Sequence, residues 1–270
     1  MPAQPETRNM AVFCDFENIA LGVRDAKYAK FNISKVLERL LLKGNIVVKK
    51  AYCDWDRYKE FKPAMHEAAF ELIEIPHLRQ SGKNSADIRM VVDALDLCYT
   101  KGHVDTFVII SGDSDFSPLV SKLRENARIV IGVGVKQSTS DLLMANCDEF
   151  IFYDDLVREP APRTRARRKG ARPAGGKEEK PSQEEQRHQE AIDLVVETVE
   201  ALLAERGGED KIWGSMVKQT LKRRRPGFNE SYYGFSSFSR LLEEAQARHM
   251  LTLEQDERSG GYIVRGLTPD

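Results

Sequence analysis

The sequence predicts an α/β domain with a mostly parallel sheet, followed by a small C-terminal winged helix-turn-helix domain. Three observations carry this prediction. Short apolar runs alternate with amphipathic helical stretches from Met10 to about Val157, the signature of successive βαβ units. Two of those runs end in carboxylates, AVFCDFEN at 11–18 and VDTFVIISGDSDFSP at 104–118. A Pro-, Gly- and charge-rich stretch then breaks the pattern before a second periodic region begins.

Taken in order, the strand candidates are Met10–Cys14, Ile46–Tyr52, Leu72–His77, Val104–Ser111, Ile129–Val135 and Phe150–Tyr153. Each is rich in aliphatic, β-branched or aromatic residues and is bounded by polar or turn residues. Between them, Ile33, Val36, Leu37, Leu40 and Leu41 mark one helical stripe, and Ile88, Val91, Val92 and Leu95 mark another. Ser85 is the expected N-cap of that second helix, and Ser117–Pro118 the expected N-cap and first residue of a later one. Residues 158–183 are expected to be a disordered basic linker, because REPAPRTRARRKGARPAGGKEEK offers no apolar face. Its first sixteen residues carry seven Lys or Arg against one Glu, which suits either a solvated spacer or a tether for nucleic-acid phosphates.

The C-terminal domain is expected over 184–266. Ile192, Val195, Val196, Val199, Leu202 and Leu203 form an amphipathic helix ending at Gly207–Gly208. A second helix fits Ile212–Arg223 and a third fits Phe235–Ala247, while MLTLEQDERSGGYIVRG reads as a hairpin. Helix-turn-helix folds serve nucleic-acid binding or protein contacts.

Composition narrows the function. The chain has 270 residues, 41% hydrophobic and 31% charged, with a formal net charge of −1. Any affinity for nucleic acid must therefore come from local basic patches rather than a global field. Cys14, Cys53, Cys98 and Cys147 show no C-x-x-C pair, so they read as core residues in a reducing compartment rather than zinc ligands. The polar start MPAQPETRN is no signal peptide, and no stretch is long and apolar enough to span a membrane. A cytoplasmic protein without membrane attachment is expected.

The acidic strand ends are the main functional signal. Successive strands of a parallel sheet end on one edge, where ligands gather, so Asp15, Asp113 and Asp115 are expected to meet in space. Gathered carboxylates resist full ionisation unless a cation compensates, and an oxygen-only set suits a hard divalent ion such as Mg²⁺ or Mn²⁺. Each residue also has a plainer use. Asp15 can cap the following segment, SGDSD is good turn chemistry, and Asn18 can serve a local turn as well as orient a water. Asp87 falls in the first turn of a helix that starts at the same edge, a place the helix dipole favours for any acid. Asp93 lies about 9 Å further along that helix and roughly 120° around it, which makes it a more distant candidate. Lys83, in the preceding loop, is placed to hold a phosphate or to stabilise transition-state charge.

These residues resemble a known family. DFEN at 15–18, GKNSAD at 82–87 and SGDSDF at 111–116, with SDLLMANCDEFIFYDDL at 140–156, are similar to the NYN domain, a branch of the PIN-like (FLAP-like) nuclease superfamily, over about 9–157. The resemblance implies a Rossmann-like, PIN-type α/β/α sandwich whose aspartates bind Mg²⁺ or Mn²⁺ for RNA hydrolysis. Carried across, Asp15, Asp87, Asp113 and Asp115 are the metal-site and catalytic positions, with Lys83, Asn18 and Ser111 supporting. Glu17 and Asp93 also match acidic family positions. YYGFSSFSRLLEEAQ at 232–246 and the hairpin after it are similar to the LOTUS (OST-HTH) domain, a small winged helix associated with RNA binding or protein docking. Lys222, Arg223, Arg224 and Arg225 form its basic patch, which is equally the usual cationic end of a helix. Tyr232, Tyr233 and Phe235 suit either base stacking or core packing.

The expected protein is thus a metal-dependent ribonuclease with an appended RNA-binding module. Its partners would be RNA, with a protein partner for the second domain and a homo-oligomer both compatible with the sequence. The competing expectation is a non-catalytic RNA-binding or regulatory adaptor with a vestigial acidic site. A phosphatase is disfavoured because the first strand ends in Asp-Phe-Glu-Asn rather than a D-x-D pair.

Overall fold

Six parallel strands organise the first half of the chain in a computed structural model, which describes residues 8–75, 84–157, 183–206, 211–256 and 260–268. The strands are β1 (Arg8–Asp15), β2 (Gly44–Cys53), β3 (Glu71–Glu74), β4 (Thr106–Ile110), β5 (Ile129–Gly134) and β6 (Glu149–Phe152). Their order across the sheet is β3-β2-β1-β4-β5-β6, and every pairing is parallel. All six expected strands are present, although Pro76 and His77 of the expected third strand lie outside the described residues. The helices are α1 (Phe16–Asp25), α2 (Ile33–Leu41), α3 (Lys62–Glu67), α4 (Ser85–Thr100), α5 (Ser117–Glu125), α6 (Asp141–Asn146) and α7 (Tyr153–Val157).

Side chains alternate across a strand, and β1 uses both faces. Met10, Val12 and Cys14 join one core with Ile19, Val36 and Leu40. Ala11 and Phe13 join the other with Met90, Ala94, Leu119 and Leu123. The result is the expected α/β/α sandwich, with its central strand covered on both sides. Chain direction across the sheet reverses at β1, whose neighbours are β2 on one side and β4 on the other. That is the topological switch point, where the carboxyl ends of the strands leave a crevice for ligands.

Several local expectations need correction. The stripe expected for the helix at 85–100 is half right: Val91 and Leu95 pack against the core beside the buried Met90, Ala94 and Cys98, whereas Ile88 is 62% and Val92 55% exposed. Ile88 and Val92 lie on the opposite side of the 3.6-residue period from Met90, Ala94 and Cys98, which take the sheet side. Leu41 is also exposed, unlike Val36 and Leu40. Helix α1 follows β1 without a break, because Asp15 both ends the strand and caps the helix by accepting from the Asn18 backbone N–H. Asn84, not Ser85, precedes α4. Ser117 is already inside α5 and makes no capping bond, since a short 3-10 turn at Ser114–Phe116 runs straight into that helix and Asp113 caps the turn. Gly112 serves close approach rather than a positive φ: a Cβ there would run into the Ser138 carbonyl oxygen.

The chain divides into two compact units. The second has helices α8 (Gln183–Arg206), α9 (Gly214–Arg224) and α10 (Phe238–Ala247), and strands β7 (Ile212–Trp213), β8 (Leu251–Gln255) and β9 (Tyr262–Leu267). The strands form a three-stranded antiparallel sheet in the order β7-β9-β8. Three helices with a small sheet are the composition expected of a winged helix-turn-helix. Ile212 and Trp213 pair with Val264 and Ile263 instead of opening the second helix, because their bulk suits a half-buried sheet surface. Helix α10 starts at Phe238 behind a Ser237 cap, and Phe235 packs into the core before it. The linker at 158–182 and Gly207–Gly208 lie outside the described residues.

Candidate active site

Asp15 ends β1 at the switch point and is buried, with only 7% of its surface exposed. One oxygen accepts from the Asn18 N–H at 3.3 Å and the other from the Ser111 hydroxyl at 3.0 Å. Ser111 directly follows β4, the strand hydrogen-bonded to β1, and is fully buried. Its hydroxyl oxygen also accepts from the Asp113 N–H at 3.2 Å. The Asn18 side-chain oxygen reaches across to accept from the Gly112 N–H at 2.9 Å. Asp113 in turn accepts from the Asp115 N–H at 3.0 Å. A continuous hydrogen-bonded chain therefore ties the ends of β1 and β4 together, and each link uses a residue of the two acidic motifs.

Charge is concentrated at this edge. Burial, then the neighbouring Asp87 carboxylate and, more weakly, Asp113, push Asp15 up to about 7 against the opposing hydrogen bonds from Asn18 and Ser111. Asp87, half-buried in the first turn of α4, is raised to about 6 by desolvation and then by the charges of Asp113, Asp115 and Glu17. Four of the expected aspartates, with Glu17, thus share one electrostatic neighbourhood. Among the described residues, no three His, Cys, Asp or Glu side chains stand arranged to hold one metal ion between them. Burial and Asp15 also keep the Cys14 thiol protonated, and all four cysteines are free and buried.

Other expected residues fall elsewhere. Asp93 accepts from the Tyr52 hydroxyl at 2.9 Å and pairs with Lys50 at 3.3 Å and Arg89 at 3.0 Å. Against desolvation, Tyr52 and Lys50 hold its carboxyl below the usual range. It is committed to a structural network one turn and more along α4. Glu17 pairs with Arg57 at 3.1 Å. Lys83 lies outside the described residues. In the second unit, Arg224 pairs with Glu197 at 2.6 Å and Arg223 is exposed; Arg225, outside that unit, is exposed as well. Phe228 stacks on Tyr233 with ring centroids 5.4 Å apart, so that part of the aromatic cluster serves packing.

Two contributors escaped the sequence reading. Arg57 follows β2 at the same edge, and only the parallel topology reveals that it reaches Glu17. The 138–140 loop after β5 closes on the site through the Ser140 N–H, which donates to the Gly112 carbonyl at 2.9 Å. Its serine-rich STS stretch before a helix was the available signal.

The model of the NYN domain matches residues 9–154. The chain belongs to the NYN domain family. That domain is a PIN-like fold of the ribonuclease type, which supports an RNA-related role for this NYN protein. It is similar to "Meiosis regulator and mRNA stability factor 1" of Xenopus tropicalis, with 26% identity over 154 residues, 57% of this chain and 9% of that protein. It also resembles an uncharacterised protein of Methanocaldococcus jannaschii, at 28% identity over 45% of this chain and 48% of the other. A solved structure of a protein of unknown function from Vibrio parahaemolyticus shares 25% identity with a TM-score of 0.50, covering 57% of this chain and 98% of that one. The chain thus spans about a tenth of the length of the Xenopus relative. Among the described residues, no helix is long and apolar enough to cross a membrane.

Proposed function

We propose that this NYN protein is a divalent-metal-dependent ribonuclease whose second unit is a LOTUS-like RNA-binding module. The observation that carries the proposal is the electrostatic coupling of Asp15, Asp87, Asp113 and Asp115 at the switch point. An oxygen-only donor set with two carboxyls raised towards neutrality fits a hard cation. Asp15, Asp87, Asp113 and Asp115 would hold Mg²⁺ or Mn²⁺. Bound there, such an ion would lower the pKa of attacking water and offset charge developing on the scissile phosphate.

The chain's own residues set the stage. Ser111 and Asn18 fix both oxygens of Asp15, so its orientation is set before substrate arrives, and Asn18 pins the Gly112 backbone that presents Asp113. Lys83, Arg223 and Arg225 would contribute phosphate contacts, and the basic linker would add to them. Free, buried thiols suit a reducing compartment such as the cytoplasm.

A second reading, a non-catalytic RNA-binding adaptor, is favoured by the absence among the described residues of any three side chains in a ligating arrangement. One experiment separates the two. Purified full-length protein is incubated with single- and double-stranded RNA in Mg²⁺, Mn²⁺ or EDTA beside Asp113→Asn, which keeps the bond from the Asp115 N–H. Metal-dependent cleavage that falls by orders of magnitude in the variant supports the nuclease. Equal cleavage by both proteins, or none by either, supports the adaptor.

A further inference from the structure

Among the described residues, Arg57 is the one cation that pairs with any of the five carboxylates at the acidic edge. Its Nη1 lies 3.1 Å from Glu17, while Asp15, Asp87, Asp113 and Asp115 have no ion pair there. Arg57 comes from the segment after β2, which lies beside β1. On the other flank of β1 stands β4, followed by Asp113 and Asp115. Carboxylates thus follow the β4 side of the edge, and a guanidinium marks the β2 side.

The turn that carries Arg57 is fastened at both ends. Trp55, 1% exposed, donates its backbone N–H to Glu74 at 3.0 Å and its indole N–H to the Ile73 carbonyl at 3.2 Å. The Arg57 N–H donates to the Asp54 carbonyl at 3.1 Å. Tyr58 packs on Phe16, the residue between Asp15 and Glu17, with ring centroids 5.6 Å apart. The backbone around Arg57 is therefore tied to β3 and to the start of α1, so little of its freedom is left to lose when the side chain binds a ligand.

Pairing with Glu17 does not account for this construction. The two side chains are 51% and 37% exposed, and exposed ion pairs add only about 0–1 kcal/mol. Glu17 engages one terminal nitrogen of the guanidinium, and the other terminal nitrogen and Nε meet no acceptor among the described residues. A planar fork held at one end and open at the other matches a phosphodiester, whose two free oxygens accept parallel N–H bonds. Beside so many carboxylates, a polyanion also needs a fixed cation to keep one path across the edge.

We infer that Arg57 binds a backbone phosphate of the substrate on the β2 side, next to the phosphate held at the carboxylates, and so sets the direction in which the strand crosses β1. This rests on the ribonuclease reading for the scissile phosphate, but it is tested by binding as well as by turnover. Full-length wild type, Arg57→Ala and Lys59→Ala are titrated with a fluorescent oligouridylate in Ca²⁺, an ion that also suits oxygen ligands, at several salt concentrations. Cleavage is followed separately in Mn²⁺. Lys59 is exposed two residues away, so its variant reports the general effect of removing one positive charge.

Arg57→Ala should bind roughly three- to tenfold more weakly, with a log–log salt slope shallower by about 0.7, the value of one single-strand phosphate contact. KM should rise by the same factor with kcat little changed, and the melting temperature should stay, because only an exposed pair is lost. Lys59→Ala should change affinity less than about twofold. Unchanged affinity and slope in Arg57→Ala would overturn the inference. Equal losses in the two variants would overturn it as well, since they would mark a diffuse field. A fall in kcat with unchanged affinity would also refute it, because Arg57 would then act only through Glu17. An Arg57 binding defect without cleavage by wild type would refute the nuclease reading and uphold the phosphate contact, whereas cleavage without an Arg57 defect would do the reverse.

Discussion

Replacing Asp15 with Asn should stabilise the metal-free protein at alkaline pH. Asp15 sits at about 7, against 3.8 for an exposed aspartate, a rise of roughly three at about 1.4 kcal/mol each. Ionising it in the folded state therefore costs on the order of 4 kcal/mol relative to the unfolded chain. The sign follows from proton uptake. The folded state holds the proton more tightly, so this contribution to stability is fully present below about pH 4 and is lost as pH rises through about 7. Asn keeps an oxygen for the Asn18 N–H, and its amide can donate to the Ser111 hydroxyl oxygen, so both positioning contacts have a replacement. Allowing for imperfect geometry in those bonds, about 2–4 kcal/mol of stabilisation is expected at pH 8, and little at pH 4. Urea unfolding in EDTA at several pH values measures this, with Trp55 fluorescence as the probe in a Trp213→Phe background. Trp55 is buried and packs on Phe16, the residue after Asp15, with ring centroids 5.0 Å apart. Equal stability of wild type and variant at pH 8, or a wild type that gains stability from pH 5 to 8 relative to the variant, would refute the reasoning.

Three further outcomes are expected. Gly112→Ala should destabilise the first unit by about 1–3 kcal/mol in the same unfolding assay, because the new methyl meets backbone rather than a movable side chain. Asp93→Ala should cost a similar 1–3 kcal/mol by leaving Lys50 and Tyr52 without their shared partner, yet leave metal-dependent RNA cleavage unchanged in a gel assay. Arg223→Ala with Arg225→Ala should flatten the salt dependence of RNA affinity in filter binding by about one to two in the log–log slope, and an unchanged slope would remove these residues from the RNA contact.

Much of the first unit was legible because β1, β4 and β5 are buried on both faces and read as continuous apolar runs, which only a covered parallel sheet produces. The acidic motifs were legible for the same reason: carboxylates directly after such runs must emerge at one edge. Helix faces were less so. Ile88 and Val92 follow a helical period as well as Met90 and Ala94 do, and only the sheet's surface decides which side it takes. Helix α1 was obscured because Asp15 serves strand, cap and site at once. Ser117 and Pro118 carry the composition of a helix start, but the 3-10 turn before them moves the cap to Asp113. The clamp formed by Asn18, Gly112 and Ser111 joins residues more than ninety positions apart, and no local pattern encodes such a contact.

If the carboxylates at the β1–β4 edge form one cation site, the free protein should take up a divalent ion there. Calorimetric titration of Mn²⁺ into chelator-treated full-length protein near neutral pH measures that uptake. Wild type should bind Mn²⁺ saturably and release protons, because Asp15 and Asp87 are partly protonated there, so the heat changes with the ionisation enthalpy of the buffer. Asp15→Asn should bind far more weakly and release fewer protons. Wild type that binds no Mn²⁺, or binding and proton release identical in the variant, would contradict it.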